Sequence, residues 1–278
     1  MNIPASPQLY WENFETLLDE FRRDPAISGI LTDFDGTISE IVPDYGGARI
    51  IPEAREVLTR LAADYPLYIV SGRMAADVAN LVGIPGIVYV GVHGLEWMDR
   101  GAAEAQPDPR VAPYRDAVRE AAARLEREPL LEQHGLVLED KVWMLGIHWR
   151  PAVEAGGEAE TLAGLAKRLA REAATGAGLK VREGRMVVEL MPPVEANKGT
   201  GVEFFIHRDK LERALYAGDD RTDIDAFTKL EQLEGEGGFK SLEVAVTSDE
   251  APAELIQRAH VVLPEPAAVA PFLRPLLL

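Results

Sequence analysis

Short apolar runs alternate along the chain with longer segments whose apolar positions recur at helical spacing. Trp11, Phe14, Leu17, Leu18 and Phe21 fall on one helical face, which predicts an amphipathic leader packed on a core. Gly29 to Thr32 reads as a strand that ends at Asp33-Phe34-Asp35-Gly36-Thr37. A loop from Ile41 to Ile51 holds Pro43, Gly46 and Gly47; Pro52 then opens a helix to about Ala63, a first-turn proline sacrificing no hydrogen bond. Pro66 to Val70 ends at Ser71-Gly72-Arg73, and a helix follows to about Leu81. Ile87 to Val92 ends at His93-Gly94. Later, Ala214 to Ala217 ends at Gly218-Asp219-Asp220, with another helix behind it. Glu243 to Val246 ends at Thr247-Ser248, and Val261 to Leu263 precedes a last helix.

Strands alternating with helices predict an α/β fold with a mostly parallel sheet. Ligands of such sheets bind outside the carboxyl ends of the strands. Asp33, Asp35, Ser71, Arg73, His93, Asp219 and Asp220 all sit at such ends, so they are expected to converge.

The rhythm breaks between about Pro107 and Met191. A helix from Tyr114 to Arg127 precedes strand-like runs Gly135–Glu139 and Val142–Trp149. A helix from Glu158 to Ala174 precedes two more, Leu179–Val181 and Arg185–Leu190. The order α-β-β-α-β-β predicts an antiparallel sheet backed by two helices, inserted at 109–191 through hinges at Pro107–Pro109 and Pro192–Pro193. The core is then 1–108 with 192–278, including a helical leader at 1–27. An insertion at the carboxyl end of the sheet would serve as a lid.

Composition narrows the class. With 278 residues, 47% of them hydrophobic, the chain can bury a sizeable core. A net charge of −17 argues against a nucleic-acid surface. No apolar run is long enough to cross a bilayer, Met1 to Tyr10 shows no secretory signal, and there are 0 cysteines. The expectation is a cytoplasmic protein without disulfides or thiolate chemistry.

Asp33 and Asp35 lie two apart on an extended chain and therefore project to one side. Like charges held close oppose each other's ionisation, and a hard cation such as Mg²⁺ would remove that cost. A calcium loop of the EF-hand type would need Gly and Glu where Ile38 and Asp44 stand. By itself the pair fits a solvated turn as well as a cation site.

Asp33-Phe34-Asp35-Gly36-Thr37, Ser71-Gly72-Arg73, Lys198-Gly199 and Gly218-Asp219-Asp220-Arg221-Thr222-Asp223 stand in the order of the four motifs of the haloacid-dehalogenase superfamily. From about Ile30 onward the chain resembles trehalose-6-phosphate phosphatases of that superfamily. Val90 to Glu96, Leu138 to Lys141, His148-Trp149-Arg150 and Val188-Glu189-Leu190 extend the likeness. The resemblance implies a Rossmann-like core with an α+β cap and Mg²⁺-dependent hydrolysis of trehalose 6-phosphate. It also implies Asp33 as nucleophile, Asp35 as acid and then base, and Ser71 and Lys198 on the phosphate. Mg²⁺ would lie on Asp33, the main-chain carbonyl of Asp35 and Asp219, with Asp220 and Asp223 in support. Thr37 and the Gly36 turn would shape the first loop, and Gly72 belongs with the supporting residues.

Arg73 fits either that supporting set or a structural pairing with an acid. His93 and Gly94 would line the substrate side, although His93 also fits a plain wall residue. In the cap, Glu139 and Lys141 share a strand face, as do His148 and Arg150, and Arg185 and Glu189 through Val187. The resemblance gives Glu139, Lys141, Arg150 and Glu189 to the sugar hydroxyls. Departures from the family pattern are Ala196 and Asn197 before the lysine, Asp140, Trp149 and Ile224. The implied partner is a small sugar phosphate, with a monomer expected and association with a trehalose-6-phosphate synthase left open. Rival readings are a phosphatase of sucrose phosphate or of a phosphorylated glycosyl-glycerate, and a silent sugar-phosphate-binding module.

Overall fold

The structure, a computed structural model, describes residues 8–9, 14–42, 45–184, 186–248 and 251–278. Trp11, Pro43 and Arg185 lie outside them, as do the side chains of Phe14 and Leu17. The chain divides into two compact units, residues 1–106 with 196–278, and residues 107–195.

In chain order the strands are β1 (Gln8–Leu9), β2 (Ser28–Thr32), β3 (Leu67–Val70), β4 (Val88–Gly91), β5 (Glu96–Met98) and β6 (Gln106–Pro107). Then come β7 (Val137–Asp140), β8 (Leu145–His148), β9 (Lys180–Gly184) and β10 (Val187–Met191). The last three are β11 (Arg213–Gly218), β12 (Lys240–Val246) and β13 (Val261–Leu263).

The first unit is built on a sheet of order β1-β13-β12-β11-β2-β3-β4-β5-β6. Its centre, from β13 to β4, is parallel, and β1 and β5 pair antiparallel at the flanks. All of β2 is buried, which explains its unbroken apolar run, because both sheet faces are covered. Ile30, Ile69, Leu215 and Val244 pack on one face with Phe21, Leu58 and Val78 from helices Phe14–Arg23, Pro52–Leu61 and Ala75–Val82. Leu31, Tyr68, Val90 and Tyr216 pack on the other with Phe205 and Phe227, from helices Lys198–Arg208 and Asp223–Glu236.

Three strands escaped the sequence pattern: β1, β5 and β6. Each is two or three residues long, too short to show a period. The leader is therefore not wholly helical, since Gln8–Leu9 pairs with β13. Leu18 and Phe21 of the expected stripe are buried.

In the second unit the sheet order is β7-β8-β10-β9, antiparallel throughout. Leu145, Ile147, Val188 and Leu190 bury one face against Val118, Ala122 and Leu169. Glu158 caps helix Ala159–Ala174 by accepting the N–H groups of Glu160 and Thr161 at 3.1 and 2.7 Å. The expected pairing of His148 and Arg150 on one strand is corrected: β8 stops at His148, and Arg150 opens a short helix, Arg150–Glu154, with Pro151 in its first turn.

One ion pair in the first unit has a pH signature. Glu243 on β12 is fully buried, and its partner is His260. The hydrogen bond to Glu243 raises the His260 pKa, helped by the charges of Glu243, Glu234 and Glu231. A raised folded pKa gives stability that is complete below the unfolded value of about 6.5 and is lost as pH climbs through the folded one. His260→Gln should therefore cost stability at pH 5.5 and much less at pH 9, read as urea midpoints. An equal loss at both would reject the pairing as the source.

Candidate active site

Parallel register brings the strand ends together. Thr32 pairs with Ala217 on one side and Ile69 on the other. Asp33, Asp219 and Ser71 thus follow three adjacent strands. The N–H of Asp33 donates to the Ala217 carbonyl at 2.8 Å, fixing the first acid against β11. Gly36 turns at a φ of +78°, and a Cβ there would come 2.1 Å from an Asp219 carboxylate oxygen. Only glycine allows that turn and that approach. Thr37 Oγ1 donates to Asp219 Oδ1 at 3.1 Å, tying the loop after β2 to the loop after β11.

Lys198 is 2% exposed and opens its helix. Its Nζ lies 2.8 Å from Asp223 Oδ1, 3.0 Å from Asp33 Oδ1 and 3.7 Å from Asp220 Oδ1. Asn197 caps that helix reciprocally with Thr200: its side chain accepts the Thr200 N–H at 2.9 Å, and its own N–H donates to Thr200 Oγ1 at 3.1 Å. The departure to Asn at 197 thus keeps a good cap while adding no further negative charge beside Lys198.

Asp223 is saturated. Its Oδ1 accepts from Lys198 and, at 2.7 Å, from the Tyr216 hydroxyl. Its Oδ2 accepts the N–H groups of Asp219 and Asp220, both at 3.0 Å. Tyr216 was invisible to sequence reasoning because a strand tyrosine reads as core. Asp33, Asp219 and Asp223 nevertheless bring carboxylate oxygens within 4.8 Å of one another. Among the described residues, only Asp33 and Asp219 of these three keep an oxygen with no protein partner.

Burial shifts this cluster. It pushes Asp33 well above the usual carboxylate range, against the pull of Lys198. Asp219 rises to about 8 and Asp223 to about 6, burial again leading and neighbouring acids adding to it. Burial opposes the charge on Lys198, but Asp223 and Asp33 hold its pKa well above the ordinary lysine value. One ammonium does not neutralise three buried acids. Oxygen-only donors of this kind suit a hard divalent cation that keeps several of its waters, and Asp33 and Asp219 fit Mg²⁺ on that ground.

Asp35 goes elsewhere. Both of its oxygens are held by Arg73, Nε to Oδ2 and Nη2 to Oδ1, each at 2.6 Å. Ser71 is 1% exposed, and its Oγ accepts the N–H of Arg73 at 3.1 Å. Gly72 packs under the His93 ring, which would lie 2.7 Å from a Cβ at that position. His93 therefore packs on the Ser71-Gly72-Arg73 loop, while Gly94 lies against the backbone of Asn197 and Gly201. Glu96, assigned no role of its own from the sequence, fastens the next helix by accepting the Ala75 N–H at 2.8 Å.

In the second unit, register places Glu139, Gly146, Glu189 and Arg182 in one row across the sheet, on the face opposite the helices. Glu139 takes His148 Nε2 at 2.9 Å and Lys141 Nζ at 3.3 Å. Burial would raise the Glu139 pKa, but the His148 hydrogen bond and the Lys141 charge hold it below the ordinary value. Glu189 Oε2 takes the Arg182 fork at 2.8 and 2.7 Å. Arg182 was missed because its strand is set by pairing with β10 and not by its own pattern. Arg150 is exposed and outside this row.

A parallel sheet with acids, serine and lysine gathered at its strand ends defines a haloacid-dehalogenase-type fold. A hydrolase of that type from Bacteroides thetaiotaomicron aligns at a TM-score of 0.56 over 88% of this chain and 98% of its own, at 17% identity. The chain belongs to the trehalose-phosphatase family, whose model matches residues 31–258. A trehalose-phosphate phosphatase of Mycobacterium avium is 38% identical over 212 residues, 74% of this chain and 51% of that protein. The chain spans about half the length of the curated relatives of that name. The C-terminal domain of the trehalose-6-phosphate phosphatase of Candida albicans shares the fold at a TM-score of 0.67, over 95% of this chain and 96% of that one, at 21% identity. No helix among the described residues is long and apolar enough to cross a membrane.

Proposed function

We propose that the protein hydrolyses trehalose 6-phosphate to trehalose and phosphate, through an aspartyl-phosphate on Asp33. The observation that carries this reading is the cluster at the strand ends: Lys198 at 3.0 Å from Asp33, and one unpartnered oxygen on each of Asp33 and Asp219. Asp33 and Asp219 would hold Mg²⁺ with the Asp35 carbonyl, and the ion supplies charge neutralisation that lets an anionic carboxylate meet an anionic phosphate.

In the first half-reaction an Asp33 oxygen bonds to phosphorus, and the bond from phosphorus to the sugar oxygen breaks. That oxygen takes a proton from Asp35, which enters this half-reaction protonated and leaves it as the carboxylate. In the second half-reaction water bonds to phosphorus and gives a proton to Asp35, and the bond between Asp33 and phosphorus breaks. Lys198 and Ser71 would hold the phosphoryl oxygens. Asp223 aims Lys198, and Thr37 aims Asp219.

Residues 107–195 would recognise the sugar through Glu139, Lys141 and Glu189, with Arg150 at their margin. Fixed carboxylates and ammonium groups match the many donors and acceptors of a disaccharide. A panel of sugar phosphates with phosphate release tests the assignment: trehalose 6-phosphate should lead it, and only when Mg²⁺ is present. Preference for sucrose phosphate or a glycosyl-glycerate phosphate would replace the substrate and keep the chemistry.

Glu189→Ala should lower kcat/KM on trehalose 6-phosphate about 10- to 100-fold and leave p-nitrophenyl phosphate nearly unchanged, because the side chain acts on the sugar and not on phosphorus. Equal losses on both compounds would remove the recognition role.

A further inference from the structure

We propose that Arg73 is the positioning residue of Asp35, a role that rests on the phosphatase reading above. Arg73 is a fixed post. It is 4% exposed, its guanidinium lies 5.5 Å from the centre of the Phe34 ring, and Phe34 stands between the two acids. Its N–H donates to Ser71 Oγ at 3.1 Å, and its carbonyl accepts the Val92 N–H at 2.8 Å.

The turn that makes the second of these bonds is strained. Val92 and His93 sit at φ of 50° and 55°, a left-handed conformation that a β-branched residue rarely adopts. His93 N–H then donates to the Ser71 carbonyl at 3.1 Å, closing the turn on the Ser71 loop. Just before it, a Cβ at Gly91 would stand 2.2 Å from the Ala75 nitrogen, so the two loops interlock by backbone. Strain held against a functional loop keeps that loop in one place.

Asp35 is the movable partner. Its side chain is 34% exposed, and it takes no part in the Lys198 network. Two parallel hydrogen bonds from a planar fork fix both the position and the plane of a carboxylate. Giving up one bond leaves the other as a pivot. Arg73 thus confines Asp35 to a short arc, on which it meets first the leaving sugar oxygen and then the attacking water. An exposed aspartate without that anchor spreads over several rotamers, and misplacement by about 1 Å can cost roughly 100-fold in rate.

The test uses Arg73→Met and Arg73→Lys, with folding checked by circular dichroism. On trehalose 6-phosphate, Arg73→Met should lower kcat about 100-fold with KM within about two-fold. Arg73→Lys, which keeps the charge without the fork, should recover part of the loss. p-Nitrophenyl phosphate separates the half-reactions because its leaving group needs no proton. With it, folded Arg73→Met should release a rapid burst of about one nitrophenolate per protein and then turn over slowly, as the aspartyl-phosphate waits for a poorly placed base. Turnover within about three-fold of wild type overturns the proposal, and so does a burst that disappears together with turnover, since that marks general disruption of the site. A wild-type protein that releases no phosphate from either compound defeats the phosphatase reading itself and the Arg73 role with it.

Discussion

Asp33→Asn should abolish turnover, by at least about four orders of magnitude, while leaving the metal-free protein as stable as wild type or slightly more so. The amide keeps the shape of the side chain but cannot attack phosphorus. Burial and the charges of Asp223, Asp219 and Asp220 all disfavour an ionised Asp33. Removing that charge relieves repulsion, and Lys198 retains Asp223 at 2.8 Å and Asp220 at 3.7 Å. A gain of about 1 kcal/mol would raise the melting temperature by roughly 2–4 °C. The stabilisation that Mg²⁺ gives wild type should shrink in the variant, because one of two carboxylates with an unpartnered oxygen is gone. A variant that folds normally and still turns over at a tenth of the wild-type rate would end the nucleophile assignment.

Lys198→Met should be the most destabilising single change in the first unit. It leaves Asp33 and Asp223, 4% and 0% exposed, with no counterion. Breaking a buried ion pair from one side costs about 3–5 kcal/mol, and here one cation serves two buried acids. The sign of the pH dependence follows from the raised acids. A carboxylate whose folded pKa stands above its unfolded value weakens the fold at high pH and stops doing so once it is protonated. The loss should therefore be large at pH 8 and much smaller at pH 5, read by urea titration, and added Mg²⁺ should restore part of it at pH 8. A loss independent of both pH and Mg²⁺ would mean that Lys198 acts through packing alone. Under the proposed mechanism activity should vanish in either case, because Lys198 is the buried ammonium that pairs with Asp33 among the described residues.

The contrast between Asp33 and Asp35 shows where sequence reasoning stops. Both acids lie on one side of an extended chain, and that geometry is local. Their environments are not local. Asp33 faces a lysine from a helix that begins 165 positions later, and Asp35 faces an arginine 38 positions later. One acid is driven up by burial, while the other is held by a guanidinium on both oxygens. The second unit repeats the lesson. Glu139 and Glu189 stand out as charged strand positions, but their partners His148 and Arg182 are chosen by antiparallel register with neighbouring strands.

The apolar runs, their helical intervals and the reactive residues at the strand ends together determined a parallel α/β core with chemistry at one edge. Strand period and helix period are properties of consecutive residues, so composition along the chain carries them. The tertiary structure alone decided that Asp223 spends both oxygens on Lys198, Tyr216 and two backbone N–H groups. It alone decided that Asp35 docks on Arg73, and that Asp33 and Asp219 are left with oxygens to offer a cation. Hydrogen-bond saturation and desolvation depend on which distant groups share a buried volume, and no stretch of neighbouring residues encodes that.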